Sequence, residues 1–232
     1  MTIRHYLLVA HLALASGFAG AAAWSLSGLG DKHMRAYLLD NPELLPEMAD
    51  RYQAKQAEER LAQVADEVEV PFPGAVLGNP EGAVTLVEFT DYGCTYCKMS
   101  QPEVARLVEE NPDLRIVIRE WPIFQGSEEA ARMALAAARQ GKYEAFHDAM
   151  FALGPPSAAS IEKAAQAAAL DMEAARRFAA SDDASRELAK NMGLADTLGF
   201  SGTPSWVVGG RVLQGAIGYD ALQDAVAAAR GS

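Results

Sequence analysis

The sequence predicts an α/β domain in which a parallel β-sheet is interrupted by a long helical insertion. Residues 84–90 form an apolar run of strand length, residues 114–121 have the pattern of a second strand, and residues 94–110 between them have a helical pattern. A strand, a helix and a strand in this order form a βαβ unit, whose crossover implies parallel pairing. Residues 127–200 are rich in alanine and helical in pattern, which indicates an inserted group of helices.

The C-terminal part of the domain predicts a β-hairpin and a closing helix. Residues 204–208 and 211–214 are short strand-like runs joined by a Gly-Gly dipeptide, which is typical of tight hairpin turns. A final helix is predicted over residues 219–230. We place the main domain at residues 71–232, because it opens with a linker rich in proline and glycine.

The first 26 residues have the pattern of an export signal or a membrane anchor. Arg4 precedes an apolar stretch over residues 6–24, and the alanines at 21–23 offer a cleavage pattern. With Arg4 retained on the cytoplasmic side, a cleaved signal and an inner-membrane anchor over residues 6–24 both place the rest of the chain on the opposite side of the membrane. The sequence therefore predicts an extracytoplasmic location, the periplasm in a bacterium, where conditions are oxidising. The competing interpretation is a buried hydrophobic helix of a cytosolic protein.

Residues 27–70 predict a helical arm ahead of the main domain. Two helices in series are expected, with Asn41 as a cap and Pro42 at the first position of the second helix. Apolar residues recur at a three-four spacing in two short stretches, which are Leu45, Met48 and Tyr52 and then Leu61, Val64 and Val68. Such an arm buries its apolar face against a sister subunit or against its own domain. Homo-oligomerisation through residues 31–69 and a folded-back arm both stay open.

Composition and charge limit the class of partner. The chain has 232 residues, of which 50% are hydrophobic and 22% charged, and this composition is enough to build one main core. Its formal net charge of -11 argues against nucleic acid as a partner, because binding to phosphates requires a basic surface.

The only two cysteines lie three residues apart, where the first predicted strand meets its helix. This spacing places Cys94 at a helix N-terminus and Cys97 one turn along the same face, so the two can form a disulfide. Unpaired backbone N–H groups at the helix start stabilise a thiolate on Cys94. The sequence therefore predicts Cys94 as the nucleophile and Cys97 as the resolving residue of thiol-disulfide exchange.

Other interpretations of the pair give it a structural or a metal-binding role. A structural bridge over so small a loop removes little entropy from the unfolded chain. A zinc site needs further ligands, and no other cysteine exists, so the sequence predicts neither a zinc ion nor a cofactor. Two thiolates suit Cu(I), and a soft-metal binding module that uses Cys94 and Cys97 is the alternative function.

Two further positions are candidates for the same site. Glu88 shares a strand face with Leu86 in an apolar run, which predicts a buried acid of raised pKa that moves a proton to or from Cys97. The alternative is an acid that reaches solvent at the strand end. Thr203-Pro204 opens the first strand of the hairpin, where a proline fits a sheet edge or a cis peptide.

Together these motifs resemble the DsbA-like branch of the thioredoxin superfamily. The resemblance covers about residues 72–230 and rests on Glu88, on Phe89-Thr90-Asp91-Tyr92-Gly93 before Cys94-Thr95-Tyr96-Cys97, on Trp121-Pro122-Ile123, Ala130-Ala131 and Gly141-Lys142-Tyr143, and on Gly202-Thr203-Pro204-Ser205. It implies a thioredoxin-like fold with an inserted helical domain, and the activity of a protein disulfide oxidoreductase. It also implies the following roles: Cys94 attacks, Cys97 resolves, Glu88 is the buried acid, Pro204 is a cis-proline that faces the disulfide, and Thr203 pairs its backbone with an extended client peptide near Thr95 and Tyr96.

Residues 37–45, Tyr37-Leu38-Leu39-Asp40-Asn41-Pro42-Glu43-Leu44-Leu45, resemble the N-terminal segment of the ScsC/Com1-like subgroup, some members of which oligomerise through it. This resemblance makes isomerase or reductase activity an alternative to oxidase activity, because a multimer shields the reduced cysteine pair and binds misfolded clients. The dipeptide Thr95-Tyr96 lacks the histidine that supports a thiolate in the best-known oxidases, although Lys98 adds a nearby positive charge. The expected partners are exported client proteins that contain cysteines and a membrane redox partner.

Overall fold

The computed structural model describes residues 3–26 and 29–231, so residues 1, 2, 27 and 28 of the predicted N-terminal segments lie outside the described residues. The helices are α1 (Ile3–Leu26), α2 (Leu29–Asp40), α3 (Leu44–Val68), α4 (Thr95–Glu110), α5 (Ser127–Arg139), α6 (Tyr143–Leu153), α7 (Ala158–Ala167), α8 (Met172–Ala179), α9 (Asp182–Leu198) and α10 (Tyr219–Ala229). The strands are β1 (Val76–Gly78), β2 (Val84–Thr90), β3 (Leu114–Glu120), β4 (Ser205–Val208) and β5 (Arg211–Gln214). The chain divides into two compact units, Met1–Ala54 and Lys55–Ser232. Among the described residues, no helix is both long and apolar enough to cross a membrane.

The first unit contains α1, α2 and the start of α3. The two helices in series that the sequence predicts for the arm are α2 and α3, but the connection between them differs from the prediction. The side-chain amide of Asn41 donates to the carbonyl oxygen of Tyr37 at the end of α2 (2.7 Å), and α3 begins only at Leu44. The predictions of Asn41 as the cap of the second helix and of Pro42 at its first position are therefore wrong. The physical reason is that both the backbone N–H (3.0 Å) and the side-chain amide of Asn41 donate to the Tyr37 carbonyl, so Asn41 closes the end of α2.

The second unit is built on a mixed sheet whose described strands follow the order β1-β3-β2-β4-β5. β2 and β3 are parallel, from Val84 beside Leu114 to Thr90 beside Glu120, and α4 connects them. The other pairs are antiparallel, including the hairpin of β4 and β5. The predicted α/β class with its βαβ unit and hairpin is confirmed. The prediction of a linker missed β1, a strand of three residues that pairs with the outer edge of β3.

Apolar side chains cover both faces of the sheet. On one face, Leu86 and Ile116 pack with residues of α4, α6 and α10. On the other face, Val87 and Phe89 pack with residues of α9 and with the last turns of α3. The α3 residues buried there are Leu61, Val64 and Val68. The end of the predicted arm is thus folded back on the sheet of the second unit.

Arg119 of β3 holds the end of α3 on this face. Its buried guanidinium donates to the carbonyl oxygens of Glu67 (2.5 Å), Val68 (3.1 Å) and Val70 (2.6 Å). It also forms an ion pair with Glu187 of α9 (3.2 Å). Carbonyls at a helix end lack partners within the helix, so Arg119 supplies the donors that the end of α3 needs.

The predicted insertion consists of α5 to α9, between β3 and β4. Six of the thirteen residues of α5 are buried alanines, whose small side chains let α6, α7 and α8 approach it closely. Side-chain oxygens cap three of the following helices at their N-termini, namely Ser157 for α7, Asp171 for α8 and Ser181 for α9. The insertion packs against the sheet through α5, α6 and α9 and so reaches the region where β2 and β3 end.

Candidate active site

The two cysteines lie where β2 gives way to α4. Cys94 is the N-cap of α4, and its Sγ accepts a hydrogen bond from the backbone N–H of Cys97 (3.4 Å). Backbone N–H groups at a helix start favour negative charge on such a sulfur. Both cysteines are free thiols in this structure; Cys94 is 3% exposed and Cys97 is fully buried. The two thiols therefore have different surroundings.

Cys97 lies in the core beside Glu88 of β2. Burial, followed by the negative charge of Glu88, raises the pKa of the Cys97 thiol far above its ordinary value. The hydroxyls of Thr203 and Thr90 oppose this rise only in part. The neutral thiol is therefore the stable form of Cys97, and a base has to remove its proton before the sulfur can attack.

Strand alternation positions Glu88 on the face that the sequence predicts. Glu88 pairs with Trp206 of β4 and is fully buried, so the alternative of an acid that reaches solvent is wrong. Among the described residues, neither of its carboxyl oxygens has a hydrogen-bond partner of good geometry. Burial raises the pKa of Glu88 to about 7, and the weaker influence of the Thr90 hydroxyl lowers it in part. Glu88 can therefore take up or release a proton near neutral pH.

The Thr203-Pro204 peptide bond is cis and lies against the cysteines. β4 pairs with β2, with Ser205 beside Phe89, and this pairing carries the residues before β4 to the start of α4. The Sγ of Cys94 donates to the carbonyl oxygen of Thr203 at 3.2 Å. Of the two alternatives that the sequence left open for Pro204, the structure shows the cis peptide.

An exposed surface that we call the apolar rim borders the cysteines; it consists of Thr95, Tyr96, Met99, Ile123 and Phe124. Tyr96 and Met99 are each 61% exposed, and Ile123 and Phe124 are 43% and 48% exposed. Thr95 is also exposed. Large apolar side chains that remain in solvent beside a reactive sulfur form a surface to which an extended polypeptide can bind.

Asp91 holds the loop after β3 against the cysteine turn, a role that sequence reasoning missed. Its Oδ1 accepts from the N–H of Gly93 (2.6 Å), and its Oδ2 accepts from the N–H groups of Ile123 (2.6 Å) and Phe124 (2.9 Å). The Asp-x-Gly order is typical of a local turn in which the aspartate bonds a residue two positions on. The contacts to the distant loop had no signal in the sequence.

Sequence reasoning also missed Glu120, a second buried carboxyl at the end of β3. Its Oε1 accepts from the hydroxyls of Tyr92 (3.0 Å) and Tyr143 (2.6 Å), and Nδ1 of His147 lies 3.1 Å from the Tyr92 hydroxyl. Burial raises the pKa of Glu120 to about 8 and lowers the pKa of His147 to about 3. Only the register of β2 and β3, which sets Glu120 beside Thr90, reveals that this acid belongs to the site.

The sulfur atoms of the cysteine pair are the natural metal ligands at this site. Among the described residues, no group of three or more His, Cys, Asp or Glu side chains is placed to hold a metal ion. Two sulfurs are fewer than the four ligands of a structural zinc site, and thiolates are ligands that Cu(I) accepts.

Two family models match the chain. Residues 85–227 match the DSBA-like thioredoxin domain, and residues 32–59 match the copper resistance protein ScsC N-terminal domain. The first match includes both cysteines and Pro204, and the second lies within the predicted arm. These matches confirm the resemblance that the sequence motifs indicate.

Solved structures of similar proteins have the same fold. A thioredoxin-like oxidoreductase from Silicibacter pomeroyi DSS-3 is 46% identical, with 68% of this chain and 92% of that chain covered and a TM-score of 0.65. A linker-deletion variant of Proteus mirabilis ScsC is 27% identical, with 87% and 95% covered and a TM-score of 0.73. A periplasmic thioredoxin-like protein from Salmonella enterica serovar Typhimurium is 26% identical, with 73% and 97% covered and a TM-score of 0.65.

The curated relatives are longer proteins. The Na(+)/H(+) antiporter NhaA 3 of Salinispora tropica is 33% identical over 161 residues, which cover 66% of this chain. The chain spans 24% of the length of that relative, and the same share of NhaA 1 of Salinispora arenicola.

Proposed function

The chain belongs to the family of DsbA-like thioredoxin domains, and from this premise we propose that it is a protein thiol-disulfide oxidoreductase. Its redox couple is the Cys94-Cys97 pair, and its substrates are exported proteins that contain cysteines. The observation that carries the proposal is the asymmetry of the pair. Cys94 receives an N–H bond at a helix start, whereas Cys97 is a buried thiol beside a carboxyl that titrates near neutral pH. Thiol-disulfide exchange requires these two parts, a nucleophile that meets the client and a resolving thiol that a base activates.

Reduction of a client disulfide proceeds in two displacements. The Cys94 thiolate attacks one client sulfur, the client S–S bond breaks, and a mixed disulfide forms while the other client sulfur leaves as a thiolate. Glu88 then takes the proton of Cys97, and the Cys97 thiolate attacks Sγ of Cys94. The mixed disulfide breaks, the second client thiolate leaves, and the Cys94-Cys97 disulfide remains. Oxidation of a client runs through the same steps in reverse, and Glu88 returns the proton to Cys97.

Client peptides bind along the apolar rim and pair with the chain at Thr203. The Thr203 carbonyl already contacts Sγ of Cys94, so an extended client that lies along this backbone has its own sulfur close to the attacking atom. Tyr96 and Phe124 offer exposed rings to apolar client side chains. Backbone pairing makes few demands on client sequence, so we expect many unfolded clients and no single one.

We place the protein outside the cytoplasm, with residues 1–26 as an export signal or inner-membrane anchor. A membrane redox partner restores the oxidation state of the Cys94-Cys97 pair after each exchange. The apolar stretch over residues 6–24 and the similarity to a periplasmic protein support this location. We further propose that residues 31–69 mediate homo-oligomerisation through the part ahead of Leu61, since the ScsC N-terminal model matches residues 32–59 and Leu61 is packed on the sheet of its own chain. Large apolar side chains of α2 and the first part of α3 are exposed, which are Met34, Tyr37, Leu39, Leu45, Met48 and Tyr52.

A mixed-disulfide trap tests the proposed exchange. In the full chain, Cys97→Ser removes the resolving thiol, so a mixed disulfide with a scrambled-disulfide protein should accumulate through Cys94. Cys94→Ser is the matched control and should trap none. Equal trapping by both variants, or none by Cys97→Ser, contradicts the assignment of the two cysteines.

The reduction potential of the pair decides between oxidase and isomerase activity. Equilibration of the full chain with glutathione buffers should give a defined value. A potential toward about -120 mV identifies a disulfide donor, and one near about -270 mV identifies a reductant or isomerase. Failure to equilibrate, together with Cu(I) binding that requires both cysteines, would instead identify a soft-metal binding module.

A further inference from the structure

The hydrogen-bonded network around Glu120 has no part in the exchange steps above. We propose that Glu120 is a second proton-holding carboxyl of this site, a positioning residue that influences Cys97 through Glu88 and whose proton is held by a network of buried side chains. The proposal rests on the proposed function, because it concerns the same proton transfer. It adds a titrating group that neither the cysteine motif nor Glu88 supplies.

The network runs from Glu120 to a groove at the protein surface. Tyr143 donates to Oε1 of Glu120 at 2.6 Å, and the Tyr92 hydroxyl lies 3.0 Å from the same oxygen and 3.1 Å from Nδ1 of His147. Nε2 of His147 lies 3.0 Å from the amide oxygen of Gln101. Gln101 lines a groove of ≈ 440 Å³ between α4 and α6, so the network connects the buried acid with solvent.

A count of protons shows that the network can hold one more. The Gln101 amide nitrogen donates to the carbonyl oxygen of Cys97 (3.4 Å), so its oxygen faces His147, and Nε2 of His147 carries the ring proton. Nδ1 is then an acceptor, and its nearer hydroxyl neighbour is Tyr92 at 3.1 Å, whereas Tyr143 lies 3.5 Å away. Because Tyr143 donates to Glu120 at 2.6 Å, the single Tyr92 proton serves either Nδ1 or Glu120. When it serves Nδ1, the contact between Tyr92 and Glu120 is a hydrogen bond only if Glu120 is protonated and donates. The two arrangements differ by one proton, and that proton belongs to Glu120.

Groups on each element around Glu120 set its charge. Burial raises the pKa of Glu120 to about 8, the two tyrosine hydroxyls lower it in part, and the negative charges of Asp91 and Glu88 raise it. The His147 ring is neutral at physiological pH because burial lowers its pKa to about 3. The titratable groups that face the acid are Glu88 of β2, Asp91 and Tyr92 of the following turn, and Tyr143 and His147 of α6.

Glu120 and Glu88 are coupled through the sheet. Glu88 pairs with Ile118, and Glu120 follows Ile118 by two residues, so the two acids are diagonal neighbours on one face. Charge on Glu88 raises the pKa of Glu120, and by reciprocity charge on Glu120 raises the affinity of Glu88 for a proton. Glu88 ionises first, and when Glu120 follows, Glu88 becomes a stronger base for Cys97. The resolving step should therefore depend on two proton losses.

The test is the pH profile of the resolving step in the full chain. A chromophoric thiol is attached to Cys94 as a mixed disulfide, and its release by Cys97 is followed at a series of pH values. In the wild type we expect inflections near about pH 7 and about pH 8, as the pKa values of Glu88 and Glu120 require. Glu120→Gln should abolish the upper inflection and keep the lower one.

Two further variants separate this role from a structural one. Tyr143→Phe removes a hydrogen bond that lowers the pKa of Glu120, so the upper inflection should move to higher pH. Glu109→Gln changes an exposed acid of α4 that does not line this groove and should leave both inflections in place. A purely structural effect would lower the rate at every pH without moving an inflection.

An upper inflection that survives in Glu120→Gln, or a wild-type profile with one inflection, overturns the inference. The infrared band of a protonated buried carboxyl provides a readout that needs no exchange activity. A component of this band should titrate near about pH 8 in the wild type and be absent from Glu120→Gln, which keeps the component of Glu88 that titrates near about pH 7. A wild type that shows the band and yet releases no thiol contradicts the proposed function while it supports the protonated state of Glu120.

Discussion

Replacement of Glu88 by glutamine should change the way in which stability depends on pH. Burial raises the pKa of Glu88 from 4.5 to about 7, so the folded state binds this proton more tightly than the unfolded chain does. The resulting stabilisation is fully present below the pKa of the unfolded chain and is lost as the pH rises through the folded pKa. At about 1.4 kcal/mol per pH unit, the interval from 4.5 to about 7 corresponds to about 3 kcal/mol.

Glu88→Gln removes this contribution because an amide does not titrate. Between about pH 4.5 and about pH 7, the free energy of unfolding of the wild type should fall by about 3 kcal/mol relative to the variant and then run parallel to it. The assay is guanidinium unfolding of the reduced full chain, followed by the fluorescence of the buried Trp121 and Trp206. Glu144→Gln, at an exposed position, should run parallel to the wild type throughout. A stability difference between wild type and Glu88→Gln that is equal at pH 5 and pH 8 refutes the reasoning.

Two other predictions concern the arm. Arg119→Met removes the ion pair of Glu187 and the donor to the carbonyls of Val68 and Val70, while the Glu67 carbonyl keeps the N–H of Val70. Guanidinium unfolding should show a loss of about 3 kcal/mol. Arg115→Met loses one hydrogen bond to Thr85 and should lower the free energy of unfolding by only about 1 kcal/mol. Equal losses in the two variants would contradict the role of Arg119 in holding the end of α3. In sedimentation experiments the full chain should be an oligomer. Leu45→Glu should dissociate it, because Leu45 is 72% exposed on α3. A monomeric wild type would contradict homo-oligomerisation through the arm.

Local sequence pattern was sufficient to predict most elements of the fold. The strands β2 and β3 lie within one residue of their predicted ends, because their apolar runs are bounded by turn residues on both sides. The strand β1 escaped prediction because its three residues lie among prolines and glycines and are extended only through pairing with β3. The capping of α2 by Asn41 escaped for a related reason. An asparagine between two helices can cap either one, and the pattern does not say which.

The site was predictable where its members are close in sequence. Glu88, Cys94 and Cys97 lie on one strand, one turn and one helix start, so the period of the strand and the helical turn place them together. The position of Pro204 against the cysteines entered only through the family resemblance. Its neighbour Thr203 contacts Cys94 across 109 positions, and the pairing of β4 with β2 that brings them together is not visible in either segment alone.

Glu120 shows why the remaining part of the site required coordinates. In the sequence it is one acid at the end of an apolar strand, where an acid is ordinarily solvated. Two tertiary features change its chemistry: the register of β3 places it diagonal to Glu88, and α6 of the insertion covers it with Tyr143 and His147. The insertion therefore does more than cover the sheet, because it removes water from a second acid and supplies the side chains that hold its proton. A thioredoxin-like sheet without α6 would leave Glu120 hydrated, and Glu88 would then be the only carboxyl of raised pKa close to Cys97.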